Sequence, residues 1–156
     1  MLKSVFHTSW TVENLERSIA FYRDLLGFEL IGTRDRQGIE IETVVGFAKA
    51  DLHIAFLRLP GAPVGVSGHH LELIEYRHPP GVKLDIRTCD TGSAHLALET
   101  DTIREDCERL RQAGVKIVSE PVVFKGSVAG EVPACYLRDP DGFTIELVQI
   151  ESRKSE

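Results

Sequence analysis

The stretch from Ser93 to Gly114 reads as a short strand, a cap and an amphipathic helix, and the chain contains this pattern twice. With His95 laid on His7, residues Glu13, Leu15, Ile19 and Arg23 fall on Asp101, Ile103, Cys107 and Arg111, all 88 positions on (95 − 7). One residue is then lost, and Gly27 to Ile31 falls on Gly114 to Val118. Further along, the run Ala55 to Arg58 resembles Cys135 to Arg138, and Leu71 to Ile74 resembles Ile145 to Val148. A repeat constrains the fold more than composition does. The unit must be one that can be built twice in a single chain.

Apolar periodicity supplies the unit. Lys3 to Val12 alternates as a strand does. Asn14 suits a helix N-cap, and Leu15, Ile19, Tyr22 and Leu26 form one helical stripe that Gly27 closes. Strands are expected at 28–33, 51–59 and 70–76. Between them, Ile39, Ile41, Val44 and Val45 fit either a strand or a short helix, and residues 60–68 read as a turn or flexible loop. Pro79-Pro80-Gly81 breaks the pattern. In the second copy, a strand at 94–100 leads to Thr102 and Glu105, spaced as a capping box. Ile103, Cys107 and Leu110 make the stripe, and Gly114 ends the helix. A strand within 115–124, a loop at 125–130, a strand at 131–138, a turn at Asp139–Gly142 and a strand at 143–150 follow. The charged tail, 151–156, is expected to fray. The fold class is therefore α+β: paired βαβββ modules, residues 3–79 and 93–150, joined by a linker at 80–92 within one domain spanning 1–156.

A length of 156 residues accommodates two such modules. A net charge of −6 argues against a nucleic-acid or anionic-membrane partner. No apolar run approaches the ~20 residues of a membrane span, and Met1 to His7 has no signal-peptide core, so a cytoplasmic protein is expected. Cys89, Cys107 and Cys135 lack metal-type spacing, and Cys107 sits on an apolar helix stripe where packing is its expected role.

The repeat places a His in the first strand and a Glu in the last strand of each copy: His7 with Glu72, and His95 with Glu146. Each Glu faces away from its apolar neighbours Leu71 and Leu73, or Ile145 and Leu147, which the helices must cover. If the two modules pack with their Glu-bearing sides facing, two imidazoles and two carboxylates converge. Two buried carboxylates repel unless protonated or neutralised, and a divalent metal ion is the economical answer. Two N and two O donors suit Zn, Ni, Co, Mn or Fe.

The chain also resembles the vicinal oxygen chelate superfamily, the group of glyoxalase I, methylmalonyl-CoA epimerase, extradiol dioxygenases and the bleomycin- and fosfomycin-resistance proteins. The resemblance spans Val5 to Ile150. Its carriers are Phe6 to Ser9, Ser18 to Phe28, His70 to Glu75, Ala94 to Leu98 and Leu137 to Leu147. It implies curled mixed β-sheets around a metal cavity with helices outside, and metal ligands at His7, Glu72, His95 and Glu146. All four positions carry ligating residue types, as in glyoxalase I and nearly as in the epimerases. The implied activity is that of a metal-dependent lyase or isomerase, moving a proton α to a carbonyl through a metal-bound enediolate or enolate. Glu146 is the implied base and Glu72 its mirror-image counterpart. A small-molecule binding or resistance protein is the alternative, and an iron-dependent ring-cleavage dioxygenase, whose set has two His and one Glu, is disfavoured by Glu72. A small-molecule substrate and a homodimer formed through outer sheet edges are expected. The epimerase pattern carries a further glutamate where this chain has Arg36 to Ile39. Glu42 is a substitute for it, weighed against a solvated strand residue. The roles of His70, which shares the Glu72 side of its strand, and of Arg138 stay open.

Overall fold

Alternating residues from His7 onward form strand β1 (His7–Thr11) in the computed structural model, which describes residues 1–61, 69–127 and 130–150. The chain divides into two units, Met1–Leu84 and Asp85–Glu156. In the first, β1 leads into helix α1 (Leu15–Ala20) and a π-helical turn, Phe21–Leu25. Strand β2 (Glu29–Gln37), helix α2 (Ile39–Val45), β3 (Asp51–Arg58) and β4 (His70–His78) follow. The sheet order is β1-β4-β3-β2, with β1 parallel to β4 and the other pairs antiparallel. The second unit runs β5 (His95–Glu99), α3 (Ile103–Gln112), β6 (Lys116–Ile117), β7 (Val122–Ser127), β8 (Gly130–Arg138) and β9 (Thr144–Val148). Here β5 is parallel to β9, β9 is antiparallel to β8, and both β6 and β7 lie on β8.

Both units are thus the expected βαβββ modules and the fold is α+β, with mixed, open sheets. Between the repeat's landmarks the two copies differ. The ambiguous stretch after β2 is a helix in the first copy, and Ile41 and Val45 pack it on Ala50, Leu52 and Ile54. In the second copy the partner of β8 is interrupted between Ile117 and Val122, where Pro121 has no N–H to offer the ladder. The residue lost from the repeat is accounted for by α1. Its π-helical turn bonds Leu26 N–H to Phe21 C=O, five residues back, and so absorbs one extra residue that α3 lacks. That extra residue turns Leu26 off the stripe. Leu26 is half-buried, while Phe21 and Tyr22 are buried. The readings of 62–68 as a loop, of the tip of the 125–130 loop and of the 151–156 tail fall outside the described residues.

Helices α1 and α3 cover the sheet face opposite their module's site glutamate, whereas α2 packs on the Glu72 face of the first sheet, against Leu52 and Ile54. Leu15, Ile19 and Tyr22 are buried with Ala55, Leu57, Leu71 and Leu73, and α1 packs on β3 and β4. Ile103, Cys107 and Leu110 are buried, as are Cys135, Leu137, Ile145 and Leu147. Burying one such aliphatic side chain contributes ~1.5–3 kcal/mol.

The helix N-termini show a device that the sequence reading missed. Asn14 caps α1 as expected, its Oδ1 accepting from Arg17 N–H at 2.8 Å. The capping box at Thr102 and Glu105 does not form: Thr102 makes no side-chain cap bond. Its own N–H donates to Thr100 Oγ1 at 3.0 Å. Instead, an acceptor in the last strand of the first module, and one just after the last strand of the second, each receive their helix's first N–H. Leu15 N–H donates to Glu75 Oε2 at 2.6 Å, and Ile103 N–H to Gln149 Oε1 at 3.1 Å. Glu75 and Gln149 each lie three residues after a site glutamate, so the repeat carries this contact too. It satisfies one of the orphan N–H groups of each helix and ties the helix to the strand that bears the site.

Asp106 in α3 has a measurable consequence for stability. Burial pushes its carboxyl up, but hydrogen bonds outweigh burial and hold it below the usual range. Thr100 Oγ1 donates at 2.5 Å, Arg109 Nη2 at 2.7 Å and Thr102 Oγ1 at 3.3 Å. A carboxyl depressed on folding stabilises the fold above its unfolded pKa, and the contribution is lost as pH falls through the folded value. Asp106→Asn is therefore expected to melt below wild type at pH 7, with the gap closing towards pH 3. Thermal melts at the two pH values measure this.

The thiols divide in the same physical way. Cys107 and Cys135 are buried, with sulfurs 3.1 Å apart, and Cys89 is exposed. Burial, reinforced by the neighbouring Cys107, pushes the Cys135 thiol up to about 12. Since the thiolate is the nucleophile, the native protein at pH 8 is expected to take up iodoacetamide rapidly at Cys89 alone and at all three cysteines once unfolded. Mass spectrometry of the labelled peptides reads this out.

Candidate functional site

Strand pairing brings the predicted residues of each module together. In the first, β1 runs beside β4 with His7 opposite His70 and Ser9 opposite Glu72. Because β-strand side chains alternate, all four stand on the face away from α1. His7 Nδ1 lies 3.3 Å from Glu72 Oε1, and His70 Nε2 lies 3.1 Å from the same oxygen. One ligand atom from each of His7, His70 and Glu72 falls within 4.8 Å of the others. The second module repeats the arrangement with one change. His95 is opposite Thr144, Ala97 is opposite Glu146, and His95 Nε2 lies 3.2 Å from Glu146 Oε2. The predicted pairs His7–Glu72 and His95–Glu146 are therefore both formed, each within its own unit.

The surroundings of the two pairs differ. His70 is 7% exposed, and its Nδ1 is buried without a hydrogen-bond partner among the described residues. Phe6 meets the His70 ring edge-on at 5.2 Å, and Phe56, opposite Glu72 on β3, lies 6.0 Å away. In the second module Tyr136 takes the Phe56 position, opposite Glu146, and its ring is 5.5 Å from His95. The Glu72 side chain is 12% exposed and the Glu146 side chain 20%. Beyond the first pair, Ile54 pairs with Ile74 and Leu52 with Tyr76, and α2 covers this buried cluster with Ile41 and Val45.

The residues left open by the sequence find places. His70 joins the first pair. His69 does not; its Nε2 lies 2.6 Å from Thr8 Oγ1. Glu42 lies on helix α2 and not in a strand, because Gly38 and Gly46 bracket a helix there. Arg58 binds Glu29 Oε2 at 2.8 Å. Arg138 donates to Gly142 C=O at 3.1 Å and contacts Thr144 Oγ1.

The donor set passes a test for a divalent ion. Ligands held ~2.0–2.2 Å from one ion stand roughly 3–3.5 Å from one another, and the His7–Glu72 and His95–Glu146 separations of 3.3 and 3.2 Å fall in that range, which a hydrogen-bonded pair shares. Imidazole and carboxylate donors suit Zn, Ni, Co, Mn or Fe and discriminate little among them. Among the described residues, no helix is long and apolar enough to cross a membrane.

Comparison with known proteins gives a consistent picture. The family model described as "Glyoxalase/Bleomycin resistance protein/Dioxygenase superfamily" matches residues 4–147. The lactoylglutathione lyase of Salmonella typhimurium is 32% identical over 148 residues, covering 93% of this chain and 91% of that protein. The 2-epi-5-epi-valiolone epimerase of Actinomyces sp. is 32% identical over 152 residues, covering 94% and 79%. Among solved structures, a glyoxalase family protein from Bacillus cereus superposes with a TM-score of 0.77 at 25% identity, covering 96% of this chain and 95% of that one.

Proposed function

Since the chain belongs to the glyoxalase/bleomycin resistance protein/dioxygenase superfamily, we propose that it is a metal-dependent lyase or isomerase that moves a proton α to a carbonyl. One observation carries the reading: a His/Glu pair at ligand spacing in each module, at equivalent register positions. His7, Glu72, His95 and Glu146 hold one divalent ion, and residues 1–156 work as a single domain of two modules. The ion supplies Lewis acidity to the substrate's carbonyl oxygen, where negative charge develops. Relatives named as a lyase and as an epimerase both fit this reaction class.

Glu146 is the base. Glu72 has imidazole nitrogens of both His7 and His70 against one oxygen, whereas Glu146 has His95 alone among the described residues. A less restrained and more exposed carboxylate is the one able to swing to a carbon-bound proton. The carboxylate of Glu146 takes the α-proton, the C–H bond breaks, and the same carboxyl returns the proton to the neighbouring carbon or to the same carbon. The substrate is a small α-carbonyl or α-hydroxycarbonyl compound, and two chains associate through outer sheet edges.

The test combines metal analysis with deuterium exchange. The purified protein is expected to hold about one divalent ion per chain and to exchange the α-hydrogen of an accepted hemithioacetal or α-hydroxyketone in D2O. Glu146→Gln is expected to slow exchange by ~10²–10⁴-fold. A protein that binds no divalent ion at micromolar free metal overturns the proposal, and so does oxygen-dependent ring cleavage without α-exchange.

A further inference from the structure

His70 is where the repeat breaks at the site. It stands opposite His7 just as Thr144 stands opposite His95, and Thr144 is engaged by Arg138 instead of by the site glutamate. Glu72 therefore has an imidazole neighbour on its own strand that Glu146 lacks.

The buried surroundings of His70 decide how that imidazole works. A neutral imidazole carries one N–H, on Nδ1 or on Nε2. With the hydrogen on Nδ1, a buried donor has no partner among the described residues, and the Nε2 lone pair faces the lone pairs of Glu72 Oε1 at 3.1 Å. With the hydrogen on Nε2, that N–H donates to Oε1 and only a lone pair on Nδ1 goes unused. A buried donor left unpaired is the costlier fault, so the Nε2–H form is favoured twice over. The Phe6 and Phe56 rings, 5.2 and 6.0 Å away, hold the imidazole in that position.

We propose that His70 is a positioning residue: as the Nε2–H tautomer it donates to Glu72 Oε1 and fixes the orientation in which that carboxylate meets the ion. The proposal rests on the reading of Glu72 as a ligand. Its consequence is a division of labour that the repeat alone does not contain. Glu72 is anchored from its own strand and serves to hold, while Glu146, with no equivalent anchor among the described residues, carries the proton. Hydrogen bonds of this kind to a ligating group set metal affinity, and losing one costs about 10–100-fold.

The experiment has a metal-free arm and a metal-bound arm. In long-range 1H–15N spectra of the metal-free wild type at pH 8, His70 is expected as the Nε2–H tautomer, and an Nδ1–H tautomer overturns the proposal. Cobalt affinity is then measured by chelator competition on variants whose melting confirms folding. His70→Phe, which fills the ring's place without a donor, is expected to lose about 10–100-fold. His70→Gln, with an amide N–H where the imidazole Nε2–H stood, is expected to recover to within about threefold of wild type. His70→Phe binding as wild type does overturns the positioning role. His70→Gln as weak as His70→Phe overturns it as well, since the imidazole itself would then be required. Failure of the underlying reading looks different. Glu72→Gln and Glu146→Gln would both leave cobalt affinity unchanged, while the tautomer spectrum still reports whether His70 donates to Glu72.

Discussion

Ile19→Asp is expected to abolish folding of the native state, giving an insoluble or unfolded chain with no cooperative melt. Ile19 is 2% exposed in the centre of the α1 stripe. Its neighbours in that layer are aliphatic and aromatic, among them Leu15 and Tyr22, so a carboxylate there has no designed counter-charge. Loss of the buried aliphatic side chain costs about 2–5 kcal/mol, judged by large-to-small core substitutions. An unpaired buried charge adds several kcal/mol more. Together these reach the ~5–15 kcal/mol that stabilises a typical domain. Ile39→Asp is the matched control. Ile39 is 71% exposed at the start of α2, where an acidic residue suits the helix N-terminus, and its melting is expected within about 0.5 kcal/mol of wild type. Circular dichroism melts of the two variants measure the contrast. A soluble Ile19→Asp protein melting with wild type would show that α1 does not cover the sheet.

The residues that make Ile19 indispensable are also those that made the fold legible in the sequence. The stripe of Leu15, Ile19 and Tyr22, and its repetition at Ile103, Cys107 and Leu110, identify each helix and the face it covers. Alternation around Glu72 and Glu146 puts both carboxylates on the opposite face. Register depends on non-local pairing, and there the sequence speaks only through the repeat. Helix α2 escaped it because seven residues rich in Ile and Val satisfy either periodicity, and tertiary packing on Leu52 and Ile54 made the choice. The Thr102 capping box failed for a related reason. A local motif lost to a long-range acceptor, Gln149, whose approach only the sheet arranges. The one-residue slip of the repeat was visible as a gap, but its π-helical form was not. At the site, the histidines and glutamates were legible as pairs, and His70 as a neighbour on the right face. What its buried ring does required the three-dimensional surroundings of Nδ1 and Nε2.

His7→Ala and His95→Ala are each expected to abolish stoichiometric metal binding, lowering affinity by at least two orders of magnitude. The reasoning turns on how the two His/Glu pairs share ions. If each pair held its own ion, wild type would bind two per chain, and either variant would keep one at unchanged affinity. A site of one imidazole and one carboxylate is poor, however, because divalent ions of this class take four or more donors, and His70, the third possible donor of the first module, has its Nε2 turned to Glu72. Each pair is thus expected to need the other, giving one ion per chain and collapse on removal of either histidine. Competition with a chromophoric chelator, read with metal analysis after dialysis, separates these cases. A variant retaining one tightly bound ion where wild type holds two would sink the shared site. A second measurement tells whether the two pairs belong to one chain. Residues 80–92, fully extended, reach up to ~40 Å, enough for a chain to bring its second pair to its own first pair. When His7→Ala and His95→Ala chains are refolded together, an intrachain site leaves every chain with a damaged set, and the mixture is expected to stay inactive. A site exchanged between chains would give mixed dimers with one intact set and one doubly damaged set. Activity recovered on mixing would therefore assign the two pairs of each centre to different subunits.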